Sequence, residues 1–160
     1  MATLTRRAAL AAALAFAATA PSALAASENL LVIDGPSAAS REFSRADLEA
    51  LPQHVIETAT NFTDGRPVFR GPRLSDALEA AGQKSGERLL LVAANDYKVE
   101  IPAEDLDRYG VILAMEMDGA PLTLRNRGPI WLMYPVDTLA KEDREINDKL
   151  IWQLVRVEVR

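Results

Sequence analysis

Arg125-Asn126-Arg127-Gly128-Pro129-Ile130-Trp131-Leu132-Met133-Tyr134-Pro135 is the stretch on which the fold turns. Ile130 to Tyr134 has the apolar and aromatic content of a buried strand. Gly128-Pro129 and Pro135 bound it, because proline cannot donate to a ladder. The run therefore predicts a short central strand with irregular backbone at both mouths. Two arginines stand at its entrance, with Trp131 and Tyr134 behind them. Such a grouping can hold a flat polar ring, with guanidinium at its edge and indole on its face. The same residues also suit a core strand with a surface arginine turn, since large apolar side chains are usually core.

Working outward, Val111 to Met117 reads as a strand, and Asp118-Gly119 is a strong hairpin-turn signal. Arg88 to Ala94 is the most apolar run after residue 25 and predicts a strand covered on both faces. Asn95-Asp96-Tyr97 ends it. These residues suit a turn, and polar groups at strand ends also line crevices. Leu89–Ala94 and Ile130–Tyr134 are expected to be neighbours in the sheet. Their ends would then bring Asn95, Asp96, Arg127 and Trp131 to one cleft. Pro102 is expected to open a short helix through Tyr109, with Glu104, Asp105 and Asp107 on its solvated face. Leu74, Ala77, Leu78 and Ala81 have helical spacing, and Gly82 stops that helix.

Ser44, with Asp47 three residues on, predicts a capped helix over 45–51. His54 to Thr60 reads as a strand and Leu30 to Ile33 as the first strand. The charged stretch 137–148 suggests a helical turn around Lys141-Glu142-Asp143. Leu150 to Arg160 is the last strand, and its alternation reads as a half-buried edge. With roughly seven to nine short strands, two or three short helices and no regular βαβ order, the class is α+β. The expected core is a mixed sheet or a small barrel-like β core.

Composition bounds the function. Met1 to Ala25 runs from Arg6-Arg7 through an Ala/Leu/Phe stretch to Ala23-Leu24-Ala25. That is the order of a secretory signal, cleaved after Ala25. Thr5-Arg6-Arg7 also touches the twin-arginine pattern. The apolar run is shorter than the ~20 residues a span needs. Residues 26–160 then form a single exported, periplasmic domain. It keeps 16 basic and 23 acidic residues, a net charge of −7. That balance disfavours nucleic acid as a partner. The chain has no cysteine, which excludes disulfides, thiolate metal sites and a cysteine nucleophile. His54 is the lone histidine and reads as a surface or turn residue.

Three blocks, taken together, carry a resemblance: Phe69-Arg70-Gly71-Pro72-Arg73-Leu74-Ser75-Asp76-Ala77-Leu78 with Ala81-Gly82; Ala94-Asn95-Asp96-Tyr97 with Ile101-Pro102; and Arg127-Gly128-Pro129-Ile130-Trp131-Leu132-Met133-Tyr134-Pro135. In order and spacing they resemble the molybdopterin-binding domain of the sulfite oxidase type, and more closely its small exported single-domain members. The resemblance covers most of residues 30–160 and implies a mixed α+β fold. Full enzymes of that family hold molybdenum through one cysteine, in a segment similar to Glu57-Thr58-Ala59-Thr60-Asn61-Phe62. Thr58 stands at that position and offers no soft thiolate. The resemblance therefore implies the organic half of the site, a cleft for a pterin without molybdenum. The expected cofactor-binding set is Thr58, Phe62, Asn95, Asp96, Tyr97, Arg127, Gly128 and Trp131, with Trp131 or Phe62 stacking on the ring. Some small exported members of the family resemble pterin-responsive regulators. Their partner is the periplasmic part of a membrane-bound cyclic-di-GMP signalling enzyme. The expectation is a non-enzymatic pterin-binding sensor. The alternatives are a periplasmic molybdopterin-dependent oxidoreductase or accessory subunit, and a scaffold that kept the fold and lost its ligands.

Overall fold

Leu89 to Ala93 are all buried, as a strand covered on both faces requires. In the computed structural model, which describes residues 28–84, 86–139 and 145–160, they form most of β5 (Arg88–Ala93). The strand lies in a five-stranded sheet with β1 (Asn29–Asp34), β2 (Arg41–Ser44), β6 (Lys98–Pro102) and β11 (Leu154–Val159), in the order β2-β1-β11-β5-β6. β1 and β11 are parallel and the other pairs antiparallel, so the sheet is mixed. The expected leader lies outside the described residues, as does the helical turn expected at Lys141-Glu142-Asp143.

A second sheet has the order β3 (Gln53–Glu57), β4 (Val68–Pro72), β8 (Glu116–Met117), β9 (Ala120–Pro121). The Asp118-Gly119 hairpin joins β8 to β9, and both turn residues have positive φ, 52° and 77°. That is what a two-residue primed turn demands. The strand expected over Val111–Met117 is broken at Met115. Its first part, β7 (Ile112–Ala114), pairs with β10 (Trp131–Met133). At Gly71 in β4, a Cβ would stand 1.9 Å from the Leu113 carbonyl oxygen, so only glycine lets β4 lie this close to β7. All residues of β7 and β10 are buried, and they join the core with Leu31, Ile33, Leu89 and Leu91.

The helices among the described residues are short: α1 (Arg45–Glu49), α2 (Leu74–Ala80), α3 (Glu104–Tyr109) and α4 (Ile146–Lys149). Asp47 N–H donates to Ser44 Oγ at 3.2 Å and Ser44 N–H to Asp47 Oδ2 at 2.8 Å, a closed capping box. Pro102 ends β6 instead of opening α3. Among the described residues, no helix is long and apolar enough to cross a membrane.

Two expectations about the sheet are corrected. β11 is not an edge: it sits between β1 and β5. Alternation reports that one face is buried, and it carries no information about lateral position. β5 and β10 are not neighbours either, since they belong to different sheets. The segment leading into β11 lies between them. Leu132 N–H donates to Ile151 O at 2.9 Å, Leu154 N–H to Ile130 O at 3.1 Å, and Ala94 N–H to Gln153 O at 2.9 Å. Residues 151–154 thus stitch the end of β5 to the β10 region, with an isolated bridge between Trp131 and Trp152.

Candidate functional site

The stitch brings Trp152 to the surface beside the end of β5. A cleft of about 290 Å³ opens there, lined by Phe62, Ala93, Asn95, Tyr97, Asn147, Asp148, Leu150, Ile151 and Trp152. Phe62 comes from the loop after β3, Asn95 and Tyr97 from the β5–β6 turn, and Asn147 and Asp148 from α4. Phe62 and Trp152 meet edge to face with centroids 5.2 Å apart, forming an aromatic wall. Tyr97 adds a third ring and is 56% exposed. The volume lies near the lower end of small-molecule sites, about 300 Å³, and suits one bicyclic ring with a short substituent.

Of the residues expected from sequence, Phe62, Asn95 and Tyr97 line this cleft. Asp96 does not: it is the left-handed residue of the turn, φ 63°, and its N–H closes on Ala93 O at 3.0 Å. Gly128 is buried against Leu122, and its N–H donates to Thr123 O at 2.7 Å. Arg127 also has positive φ, 72°. Its guanidinium lies over both indoles, 5.0 Å from the Trp131 centroid and 5.8 Å from that of Trp152. It therefore braces the aromatic wall, and lines a second cavity of about 350 Å³ on another side of Phe62.

Trp131 is corrected most sharply. It is 0% exposed, packed edge to face on Phe69 at 5.4 Å and on Trp152 at 6.4 Å. No face of this indole is open to a ring, because the strand that carries it is buried on both sides. The indole that faces the cleft belongs to Trp152, which sequence reasoning absorbed into the last strand. Asn147 and Asp148 were likewise absorbed into the charged stretch. The available signal was a tryptophan just ahead of the alternating β11 pattern, outside the alternation it precedes.

Thr58 is also 0% exposed. Its hydroxyl donates to Asp137 Oδ1 at 3.0 Å and accepts from the Asp137 N–H at 3.2 Å. Ala59 N–H donates to the other carboxylate oxygen at 3.1 Å, and Arg66 pairs with that same oxygen. Burial alone would push the Asp137 carboxyl up. The hydrogen bonds from Ala59 and Thr58, with the charge of Arg66, outweigh that and hold it below the ordinary carboxylate range. Thr58 is thus committed to a buried polar clamp. The chain has no cysteine, and among the described residues no group of three or more His, Asp or Glu side chains is placed to hold a metal.

Elsewhere, His54 lies in β3, half-buried, with Nε2 3.6 Å from Asp76 Oδ2. Asp105, expected on a solvated face, is 3% exposed. It accepts from Tyr134 Oη at 2.9 Å and from Lys149 Nζ at 2.8 Å. This buried cluster anchors α4, the helix that carries Asn147 and Asp148.

A family model described as oxidoreductase molybdopterin binding domain matches residues 18–142. None of the curated proteins matches the sequence. Among solved structures, the sulfane dehydrogenase SoxCD from Paracoccus pantotrophus is similar, with a TM-score of 0.63 and 22% identity. The alignment covers 83% of this chain and 38% of that one, so the likeness concerns the fold of one part of a longer protein.

Proposed function

The chain belongs to the oxidoreductase molybdopterin-binding domain family, and from that premise we propose that it is an exported, non-enzymatic pterin-binding protein of a sensor or regulatory kind. One observation carries the reading. An aromatic wall and polar groups meet in a cleft sized for a bicyclic ring, while the residue at the expected metal-ligand position is locked to Asp137. In the proposed mode, the pteridine face rests on Trp152, with Phe62 holding the indole and Arg127 bracing it. Asn95, Asn147 and Asp148 meet the polar edge. The protein supplies no ligand to molybdenum and performs no turnover. Pterin occupancy would be read by a periplasmic segment of a membrane-bound signalling enzyme.

Isothermal titration calorimetry of the full chain with pterin tests the cleft. Binding is expected, and Trp152→Ala is expected to weaken it by roughly 1–3 kcal/mol, by analogy with base–aromatic stacking. Unchanged affinity in a well-folded Trp152→Ala would remove the wall from the site. Elemental analysis of natively purified protein should find no stoichiometric molybdenum. Molybdenum together with substrate turnover would select the oxidoreductase reading that family membership alone favours.

Export belongs to the same proposal. The mature N-terminus should be Ala26, read by N-terminal sequencing of the native protein. Met1 retained on a cytoplasmic product would remove both the location and the periplasmic partner.

A further inference from the structure

The polar rim of the cleft has a fixed donor and acceptor pattern. Asn95 Oδ1 accepts the Tyr97 backbone N–H at 3.2 Å, and Asn147 Oδ1 accepts the Asn61 backbone N–H at 3.0 Å. A backbone N–H can pair only with the oxygen of an amide, so each carboxamide is held in one orientation. Its NH₂ end is left to donate. Both asparagines therefore offer the cleft donors. Asp148 offers the opposite: among the described residues its carboxylate has no hydrogen-bond or ion-pair partner, and it lines the same cleft. An ionised carboxylate can only accept.

We propose that Asp148, with Asn95 and Asn147, reads the amino-oxo edge of the ring and makes the cleft selective for an amino-oxo pteridine over a dioxo one. The inference rests on the ring-binding reading of the cleft. The amino group and adjacent ring N–H of such an edge present two parallel donors, which a carboxylate accepts side by side. The neighbouring carbonyl is an acceptor, which the amide NH₂ groups satisfy. A dioxo ring puts a second carbonyl oxygen where the amino group stood, facing the carboxylate. Two acceptors then meet with no proton between them, and a desolvated edge left unpaired costs affinity. The exchange of one amino group for one oxygen leaves ring area and stacking nearly unchanged, so the discrimination isolates the edge from the aromatic wall.

The test compares pterin with lumazine, its dioxo counterpart, by calorimetric titration of the full chain and of Asp148→Asn. Asp148 is exposed, and the substitution preserves its shape, so an unchanged melting temperature is expected. The wild-type chain should prefer pterin by about tenfold or more. In Asp148→Asn, whose carboxamide can donate to the second carbonyl, that preference should shrink to within about threefold. Equal affinities in the wild-type chain, or a preference untouched by Asp148→Asn, would overturn the edge assignment while leaving ring binding in place. If neither pteridine binds, the cleft reading falls and the assignment with it.

Discussion

Trp131→Ala should cost about 3–5 kcal/mol of stability, the range for truncating a large aromatic in a packed core. The indole is fully buried and touches Phe69 and Trp152 edge to face, with Arg127 over its ring. Its removal leaves a void where three elements meet: β4, β10 and the lead-in to β11. In a domain of this size the loss lowers the melting temperature by roughly 10–20 °C. Trp131→Phe keeps more of the volume and should lose less. It should also retain pterin affinity, because the indole facing the cleft is Trp152. Thermal unfolding followed by circular dichroism measures the first effect, and calorimetry the second. A loss below about 1 kcal/mol for Trp131→Ala would contradict its place in the core. A large affinity loss in a stable Trp131→Phe would restore Trp131 as the stacking residue.

The second large effect belongs to the cluster under α4. Lys149→Met leaves the buried Asp105 carboxylate with the Tyr134 hydroxyl still donating to it. Removing one partner of a buried pair costs about 3–5 kcal/mol, and the partial exposure of Lys149 points to the lower end. Adding Asp105→Asn should recover most of the loss, because a neutral carboxamide still accepts the Tyr134 hydroxyl. Failure of that recovery in denaturant titrations would show that the lysine acts through packing. The phenol adds a pH signature. Burial first, then the Asp105 charge, push the Tyr134 hydroxyl far above its usual range. Above about pH 10 the unfolded chain releases this proton and the folded chain keeps it. Stability should therefore fall with rising pH there, by up to about 1.4 kcal/mol per unit, and Tyr134→Phe should lessen the slope.

Local patterns were legible in the sequence. The spacing of Leu74, Ala77 and Leu78 marks α2, Ser44 with Asp47 marks the start of α1, and Asp118-Gly119 marks the hairpin. Each depends on residues a few positions apart. The partners of β5 and β10 were not legible, because two apolar runs look alike whether they pair with each other or with a third segment. Residues 151–154 are that segment, and only their long-range hydrogen bonds reveal it. The residues of the candidate site were legible in part. Phe62, Asn95 and Tyr97 come from loop signals that tolerate exposure, and they line the cleft. Trp131 came from aromatic character alone, which does not distinguish a stacking platform from core. Asp105 was misread because charge suggests solvent until a partly buried lysine and a buried phenol are found around it.

The tryptophan pair has an optical consequence. The chain holds two tryptophans, one sealed and one at the cleft, with centroids 6.4 Å apart and planes at 87°. Indoles this close are expected to exchange excitation before they emit, to the extent that their transition dipoles are not perpendicular. Trp131, though shielded from every ligand, would then report on whatever rests against Trp152. A pteridine absorbs in the near ultraviolet where indoles emit, so one ring in the cleft should drain the emission of both.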